Sequence, residues 1–402
     1  MWYFNQVSRH LRNATVNNHQ MLSISIGKCN FYLHDYDLHP ITYLLPSYAA
    51  SITHLTLFLP PAAHHRLLSI QNQLTRLVYV AFVNTASDGS EDQQFFDMFE
   101  GCPTLQTFYV VNFGALADVV IPKSVKDLAV RHYNIFQREH PQLKRTEYGL
   151  RTYGSHLQSW TNLESLCIDI SGRDIPDIAE PCTLLPNLNH LAVHAYVDAV
   201  IPTFLKFVNT PLLTSLSLSS MAPTSYASSD ATRFFGSIDT LVVRSGCILE
   251  SLELDLSVRT NVGVLLTTLD GLPTLTHLAI RRRGSSRVAQ WLGDTRRQQE
   301  VLSASRPNAS DAGGESNPRM LLPSLKTLTL DAEPHHAPGL PRLASWIELR
   351  APTAPLKRVD IIWRTRNGVG YGEDKQVLET FVDRVRLVGG VVVTGVFMHA
   401  DD

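Results

Sequence analysis

Leu163-Glu-Ser-Leu166-Cys-Ile168, Leu188-Asn-His-Leu191-Ala-Val193 and Leu213-Thr-Ser-Leu216-Ser-Leu218 are successive copies of one short phrase. Each has an apolar residue, two variable residues, a leucine, one variable residue and a second apolar residue. Further copies are Leu249-Glu-Ser-Leu252-Glu-Leu254, Leu275-Thr-His-Leu278-Ala-Ile280 and Leu325-Lys-Thr-Leu328-Thr-Leu330. Weaker copies end at Leu57, Tyr79, Val110, Val130 and Ile361. The end of each phrase alternates with a period of two, so it reads as a strand with one apolar and one variable face. Leu166, Leu191 and Leu216 stand 25 residues apart, and Leu252 and Leu278 stand 26 apart. That interval holds a strand of about five residues, a turn and a helix of about two to three turns.

The stretches between phrases carry helical periodicity. Asp92 to Gly101 places Phe95, Phe96, Met98 and Phe99 at helical spacing. Val197 to Asn209 does so with Ile201, Phe204, Leu205 and Val208, and Val262 to Leu269 with Val264, Leu265 and Leu269. Thr232 to Ser245 contains Leu241-Val242-Val243, a strand former by propensity. Its Phe234, Phe235, Ile238, Leu241 and Val242 recur at three- and four-residue spacing, so the stretch is predicted helical. Pro103, Pro186, Pro211, Pro273, Pro323 and Pro355 each fall shortly before a phrase. Proline lacks an N–H and disfavours helix in the residue before it, so these prolines mark helix-to-strand boundaries.

Repeated strand-plus-helix units of this length are the signature of a leucine-rich-repeat solenoid. The expected fold class is α/β: a horseshoe with a mainly parallel sheet on its concave face and helices on its convex face. Residues 21–402 are expected to form it. Two intervals are long, 38 residues from Leu128 to Leu166 and 36 from Leu216 to Leu252. A polar insertion interrupts the repeats near 283–319. Its centre, Ser303 to Asn317, has too few apolar residues to offset ordering entropy and is expected to be disordered. Arg287 to Leu302 is predicted as a short polar helix. Residues 372–398 are expected to cap the last repeat. A helix there carries Val377, Leu378, Phe381, Val382 and Val385, and the strand Val391-Val392-Val393 follows.

Repeats add length without adding domains, so 402 residues do not imply several domains. The formal charge of -2 gives no general pull toward nucleic acid or an acidic membrane, and neither is expected as a partner. No run approaches the ~18 apolar residues of a membrane span, and Met1 to Asn18 lacks the apolar core of a secretion signal. The five cysteines, Cys29, Cys102, Cys167, Cys182 and Cys247, are odd in number and form no C-x-x-C pair. Reduced thiols in an intracellular protein, cytoplasmic or nuclear, are expected. Asn13-Ala-Thr15 and Asn308-Ala-Ser310 match the glycosylation pattern, which is idle in that setting.

The N-terminal part adds a resemblance. Val7-Ser8-Arg9-His10-Leu11-Arg12-Asn13-Ala14 is similar to the last helix of an F-box, and Met21-Leu22-Ser-Ile24-Ser-Ile26 to the strand that follows one. Leu44-Leu45-Pro-Ser-Tyr-Ala-Ala-Ser-Ile-Thr-His-Leu55-Thr-Leu57 resembles a helix-then-strand that opens the repeats. Arg244-Ser-Gly-Cys-Ile-Leu-Glu-Ser-Leu252 resembles a recurrent helix end and strand start. Over most of its length the chain resembles the mushroom-type fungal F-box/leucine-rich-repeat proteins. Residues 1–20 are then expected to be the remnant of the last F-box helix. The Leu-Pro start and first helices of the F-box are missing from the sequence, and Leu11 stands where the family usually has Trp. In that family the complete F-box docks on the Skp-type adaptor of a cullin ubiquitin ligase, and the repeats hold the substrate. The resemblance implies a non-catalytic protein-recognition module like the substrate-binding part of such a receptor. A Skp-type adaptor is an expected partner only if a complete F-box lies upstream. The alternatives are a ubiquitin-independent leucine-rich-repeat scaffold and a regulator of small GTPases.

The variable residues of each phrase face away from the core. One column runs Asp169, His194, Ser219, Asp255, Arg281, Asp331, and its neighbour runs Cys167, Ala192, Ser217, Glu253, Ala279, Thr329. Nearer the N-terminus the columns are apolar: Phe58, Val78, Val80, Tyr109 and Val111. Mixed charge beside an apolar, aromatic patch suits an unidentified protein partner. The expected partner-binding residues are Asp169, His194, Ser219, Glu253, Asp255, Arg281 and Asp331. The competing account is that these side chains are merely solvated or covered by a loop.

Asp169, His194 and Ser219 share one register on consecutive repeats, and adjacent strands lie about 4.8 Å apart. No sharp nucleophile turn or oxyanion loop accompanies them, so no catalytic residue is assigned. His34-Asp35-Tyr-Asp37-Leu-His39 lacks a ligand spacing, as do His64-His65 and His335-His336, so no metal is expected. No glycine-rich phosphate loop is present, and no cofactor is expected. Arg281-Arg282-Arg283-Gly-Ser285-Ser286-Arg287 reads as a solvated strand end, with an anion contact or phosphorylation of Ser285 as the alternatives.

Overall fold

The computed structural model describes residues 22–26, 45–59, 67–84, 97–111, 120–131, 156–170, 182–195, 199–220, 231–256, 262–281, 292, 321–332, 339–354, 356–365, 371–388 and 390–399. They fall into two compact units, Met1–Leu188 and Asn189–Asp402. Residues 1–20, expected to be an F-box remnant, lie outside the described residues, as does all of 283–319 except Leu292, which is fully buried.

The first unit contains β1 (Leu22–Ile26), a single-turn helix α1 (Leu45–Tyr48), β2 (Ile52–Leu59), β3 (Tyr79–Asn84), β4 (Thr107–Val111), β5 (Asp127–Arg131), β6 (Ser165–Ile170) and the two-residue β7 (Thr183–Leu184). β1 to β6 pair in chain order, and every pair is parallel. The register stacks like residues on like. Leu55, Val80, Phe108, Leu128 and Leu166 form one row, and Leu57, Phe82, Val110, Val130 and Ile168 the next. None of the ten is more than 2% exposed. Burying such a side chain contributes about 1.5–3 kcal/mol, so these rows are a large part of the unit's core.

Two sequence expectations are corrected in this unit. Val80 pairs with core residues Leu55 and Phe108 and is fully buried, so it does not belong to the outward column. The strand phrase there is Leu77-x-x-Val80-x-Phe82, three residues later than the phrase ending at Tyr79. An odd slip exchanges the two faces of a strand. Asp97–Gly101, the described end of the helix expected over 92–101, is a turn. The N–H groups of Glu100 and Cys102 donate to Asp97 and Phe99 carbonyls three residues back, at 2.9 and 3.0 Å. Pro103 follows at once and supplies no donor to lengthen a helix. Met98 and Phe99 are still buried, so the apolar spacing marked burial correctly.

The second unit contains β8 (His190–Ala195), α2 (Val200–Phe207), the two-residue β9 (Val208–Asn209), β10 (Ser215–Ser220), α3 (Ala231–Ser245), β11 (Ser251–Leu256), α4 (Val262–Asp270), β12 (His277–Arg281), β13 (Thr327–Ala332), α5 (Leu340–Arg350), β14 (Arg358–Thr365), α6 (Tyr371–Arg386) and β15 (Val392–His399). β8, β10, β11, β12, β13, β14 and β15 pair in that order, all parallel. Each unit is thus α/β or strand-and-turn built on a parallel sheet. Leu191, Leu216, Leu252, Leu278, Leu328 and Val359 form one core row. Val193, Leu218, Leu254, Ile280, Leu330 and Ile361 form the second. The second row ends at Gly395 of β15, where an added Cβ would stand 3.2 Å from Leu378 Cδ2 of α6. That helix fills the space a side chain would take.

A backbone device joins successive strands in both units. The carbonyl of Gln106 accepts from the N–H groups of Lys126 and Asp127 at 2.8 and 3.0 Å, and that of Lys126 from Glu164 and Ser165. Thr214, Glu250, Thr276 and Lys326 do the same for the next strand of the second unit. The residue just before a phrase often adds a side-chain tie. Thr104 Oγ1 donates to Leu77 O at 2.9 Å, Asn162 Nδ2 to Lys123 O at 2.9 Å, Asn187 Nδ2 to Thr161 O at 3.0 Å and Thr274 Oγ1 to Leu249 O at 2.9 Å. On two repeats this position holds Leu212 and Ile248, 58% and 62% exposed.

Arginines tie the helical side. α3 is helical as its spacing predicts, burying Phe234, Phe235, Ile238 and Leu241 and leaving Val243 82% exposed. It ends at Gly246, whose φ of +63° is the left-handed stop that glycine adopts without strain. From its last turn Arg244 donates to the carbonyls of Leu205, Lys206 and Val208, which close the C-terminal end of α2. Arg350, 1% exposed, ends α5 and donates to Leu321 O at 2.8 Å and Leu325 O at 3.3 Å. It clamps the turn in which Leu322 takes a left-handed φ of +55°. Arg350 lies over the Trp346 ring at 4.8 Å, and burial pushes its guanidinium down to about 10, so it stays charged at neutral pH. Arg384 of α6 grips α5 through both Glu348 oxygens, at 2.6 and 2.7 Å, and through Ser345 Oγ at 2.9 Å.

Candidate functional site

Residues between the core rows project from the outward face of each sheet. In the second unit, Ala192, Ser217, Glu253 and Ala279 share one row, and His194, Ser219, Asp255 and Arg281 share the next. Accessibility varies along these rows. Glu253, Asp255, Arg281 and His194 are half-exposed, whereas Ser219 and Asp331 are 4% and 2% exposed.

Arg281 Nε lies 2.7 Å from Glu253 Oε1, with the two side chains 40% and 36% exposed. Its register partner is Asp255, while Glu253 stands opposite Ala279. The methyl group of Ala279 leaves room for the guanidinium to reach back diagonally. The Nε–H direction misses the carboxylate, so the contact is an ion pair rather than a directed hydrogen bond. At this exposure such a pair contributes at most about 1 kcal/mol to stability. Ser219 Oγ donates to Asp255 Oδ2 at 3.3 Å and holds that carboxylate on the strand. A buried serine donating to an aspartate is poorly placed to attack a substrate, whatever its register with His194.

Asp169 lies in the first unit, 9% exposed, at the end of β6. There it acts on Arg131 of β5, together with Cys167 and Tyr109. Burial pulls the Arg131 guanidinium down, but Cys167, Tyr109 and Asp169 outweigh it and hold it above its ordinary value. For the Cys167 thiol, burial is the largest cause and pushes it up; Arg131 pulls against this, and Asp169 adds to it. The cluster is therefore a charged guanidinium against a protonated thiol.

The expected recognition residues are thus divided. Glu253, Asp255 and Arg281 come together on β11 and β12, and His194 shares that half-exposed face two strands away on β8. Ser219 and Asp331 are buried, and Asp169 stands in the first unit beside Arg131 and Cys167. Ser285, the arginines after Arg281 and the paired histidines at 34–39, 64–65 and 335–336 lie outside the described residues. Among the described residues, no three His, Cys, Asp or Glu side chains are grouped to hold a metal, and no helix is long and apolar enough to cross a membrane.

Two features escaped the sequence columns. Arg131 follows the phrase ending at Val130 and so occupies the same column as Asp169, a position that could have been read directly. Leu212 and Ile248 stand one residue before a phrase, where Thr or Asn elsewhere ties back to the preceding repeat. No protein-family model matches this chain, and no curated protein matches it significantly.

Proposed function

We propose that this chain is a non-catalytic protein-recognition module, a leucine-rich-repeat solenoid whose outward sheet face is concave and receives a protein partner. The observation that carries this is the half-exposed group His194 on β8, Glu253 and Asp255 on β11 and Arg281 on β12, set in one sheet whose strands keep a one-to-one parallel register. Side chains on paired strands are already ordered, which lowers the entropy cost of association. The group carries both charge signs, suiting a partner of complementary mixed charge rather than a phosphate backbone. The F-box resemblance makes the partner a ubiquitin-ligase substrate, and a ubiquitin-independent scaffold would use the same face. Recovery of a Skp-type adaptor by a form carrying a complete F-box upstream favours the ligase role; failure of that form favours the scaffold.

The test is affinity recovery of partners by the purified chain with quantitative mass spectrometry. Glu253→Ala combined with Arg281→Ala removes both charges and leaves neither unpaired, so the fold should survive. Loss of at least tenfold in partner recovery is expected. Undiminished recovery that instead falls with Phe58→Ala plus Tyr109→Ala would place recognition in the first unit and overturn the assignment.

A further inference from the structure

We propose that β15 is a dimerisation edge, to which a second copy of this chain adds its own β15 antiparallel about a two-fold axis at Thr394. Among the described residues β15 pairs only with β14. The N–H of Val392 donates to Lys357 O at 2.9 Å. In a parallel pair alternate residues turn both backbone groups to the neighbour, so Val393, Gly395 and Phe397 turn theirs to the other side. That row of donors and acceptors is a template for another strand.

Edge strands are commonly shielded by lysine, proline or a bulge. Val391 to Met398 contains no charged residue and no proline, and all eight β15 residues pair with β14 without a break in register. Val392 and Val396 project from the outward face, 60% and 43% exposed, while Val391 and Val393 are buried. The strand offers no charge with which to select an unlike partner, but it is complementary to itself. Centred on Thr394, the antiparallel register sets Val393 against Gly395 of the second copy as a hydrogen-bonded pair. It sets Val392 against Val396 of the second copy as a non-hydrogen-bonded pair, the type with the closer side chains. Each exposed valine thereby covers the other, twice over, as an isologous interface requires.

An eight-residue strand presents an edge about 27 Å long. Its contact area falls short of the ~800 Å² per partner of a standard stable interface, so the dimer is weak and concentration-dependent. Sedimentation velocity of the full chain from about 1 to about 100 μM spans the range where such an interface fills. The wild type should shift from monomer toward dimer. Val392→Lys with Val396→Lys sets lysine against lysine and should stay monomeric. Val392→Lys with Val396→Glu sets lysine against glutamate in this register alone and should regain the dimer. A wild type that is monomeric throughout overturns the proposal. So does a double-lysine variant that still dimerises, or a Lys/Glu variant that fails to. The Lys/Glu variant keeps the test decisive even if the double-lysine chain folds poorly.

Discussion

Cys102 is 2% exposed, and burial pushes its thiol up to about 11. Burial likewise pushes up the thiols of Cys167 and Cys247, whereas Cys182 is exposed. The thiolate is the reacting form, so reactivity should follow burial. Iodoacetamide at pH 8, with labelled peptides quantified by mass spectrometry, should modify Cys182 before Cys102, Cys167 and Cys247. Cys102 and Cys247 should react only once denaturant opens the core. Native-state labelling of Cys102 as fast as Cys182 would show that the β4 side of the first unit is not packed as described. At this scale the sequence was informative about core positions and less so about the outward ones. Leu166, Leu216 and Leu252 follow from alternation alone, because an apolar residue has one place to go. Whether Ser219 is a surface side chain or a buried tether for Asp255 depends on what its neighbours cover, which alternation does not encode.

Between elements, the strand order and the helix over 231–245 were both readable. Phrases at a steady interval force each strand beside the previous one, and the apolar spacing of α3 outweighed its β-branched end. The turn at 97–101 was misjudged because buried aromatic residues have similar spacing in a tight turn and in a helix. The slipped phrase at Val80 shows the cost of a weak copy: Leu74, Leu77, Val80 and Phe82 admit two alignments, and only pairing with Leu55 and Phe108 selects one. The ties from Thr104, Asn162, Asn187 and Thr274 lead to a prediction at Ile248. Ile248→Asn places an amide where Asn162 and Asn187 donate backward in their own repeats, within reach of the Pro211 carbonyl. A gain of about 0.5–1.5 kcal/mol is expected, the usual net value of one hydrogen bond. It should appear as a higher urea midpoint at unchanged slope. A lower midpoint would mean that Ile248 contributes apolar packing its exposure does not reveal.

For the molecule as a whole, repeated phrases build parallel sheets with a leucine-rich inner face, and the outer face of the second unit, which carries His194, Glu253, Asp255 and Arg281, is proposed to recognise a protein. The helical side of the same unit is the natural control, because Val243 on α3 is 82% exposed and the same partner could reach it. The most direct measurement is site-specific photo-crosslinking to the recovered partner, with the reactive amino acid placed in turn at positions 217, 253 and 243. Crosslinks from 217 and 253, with none from 243, are the predicted result. Crosslinks from 243 alone would contradict the account and move recognition to the helices.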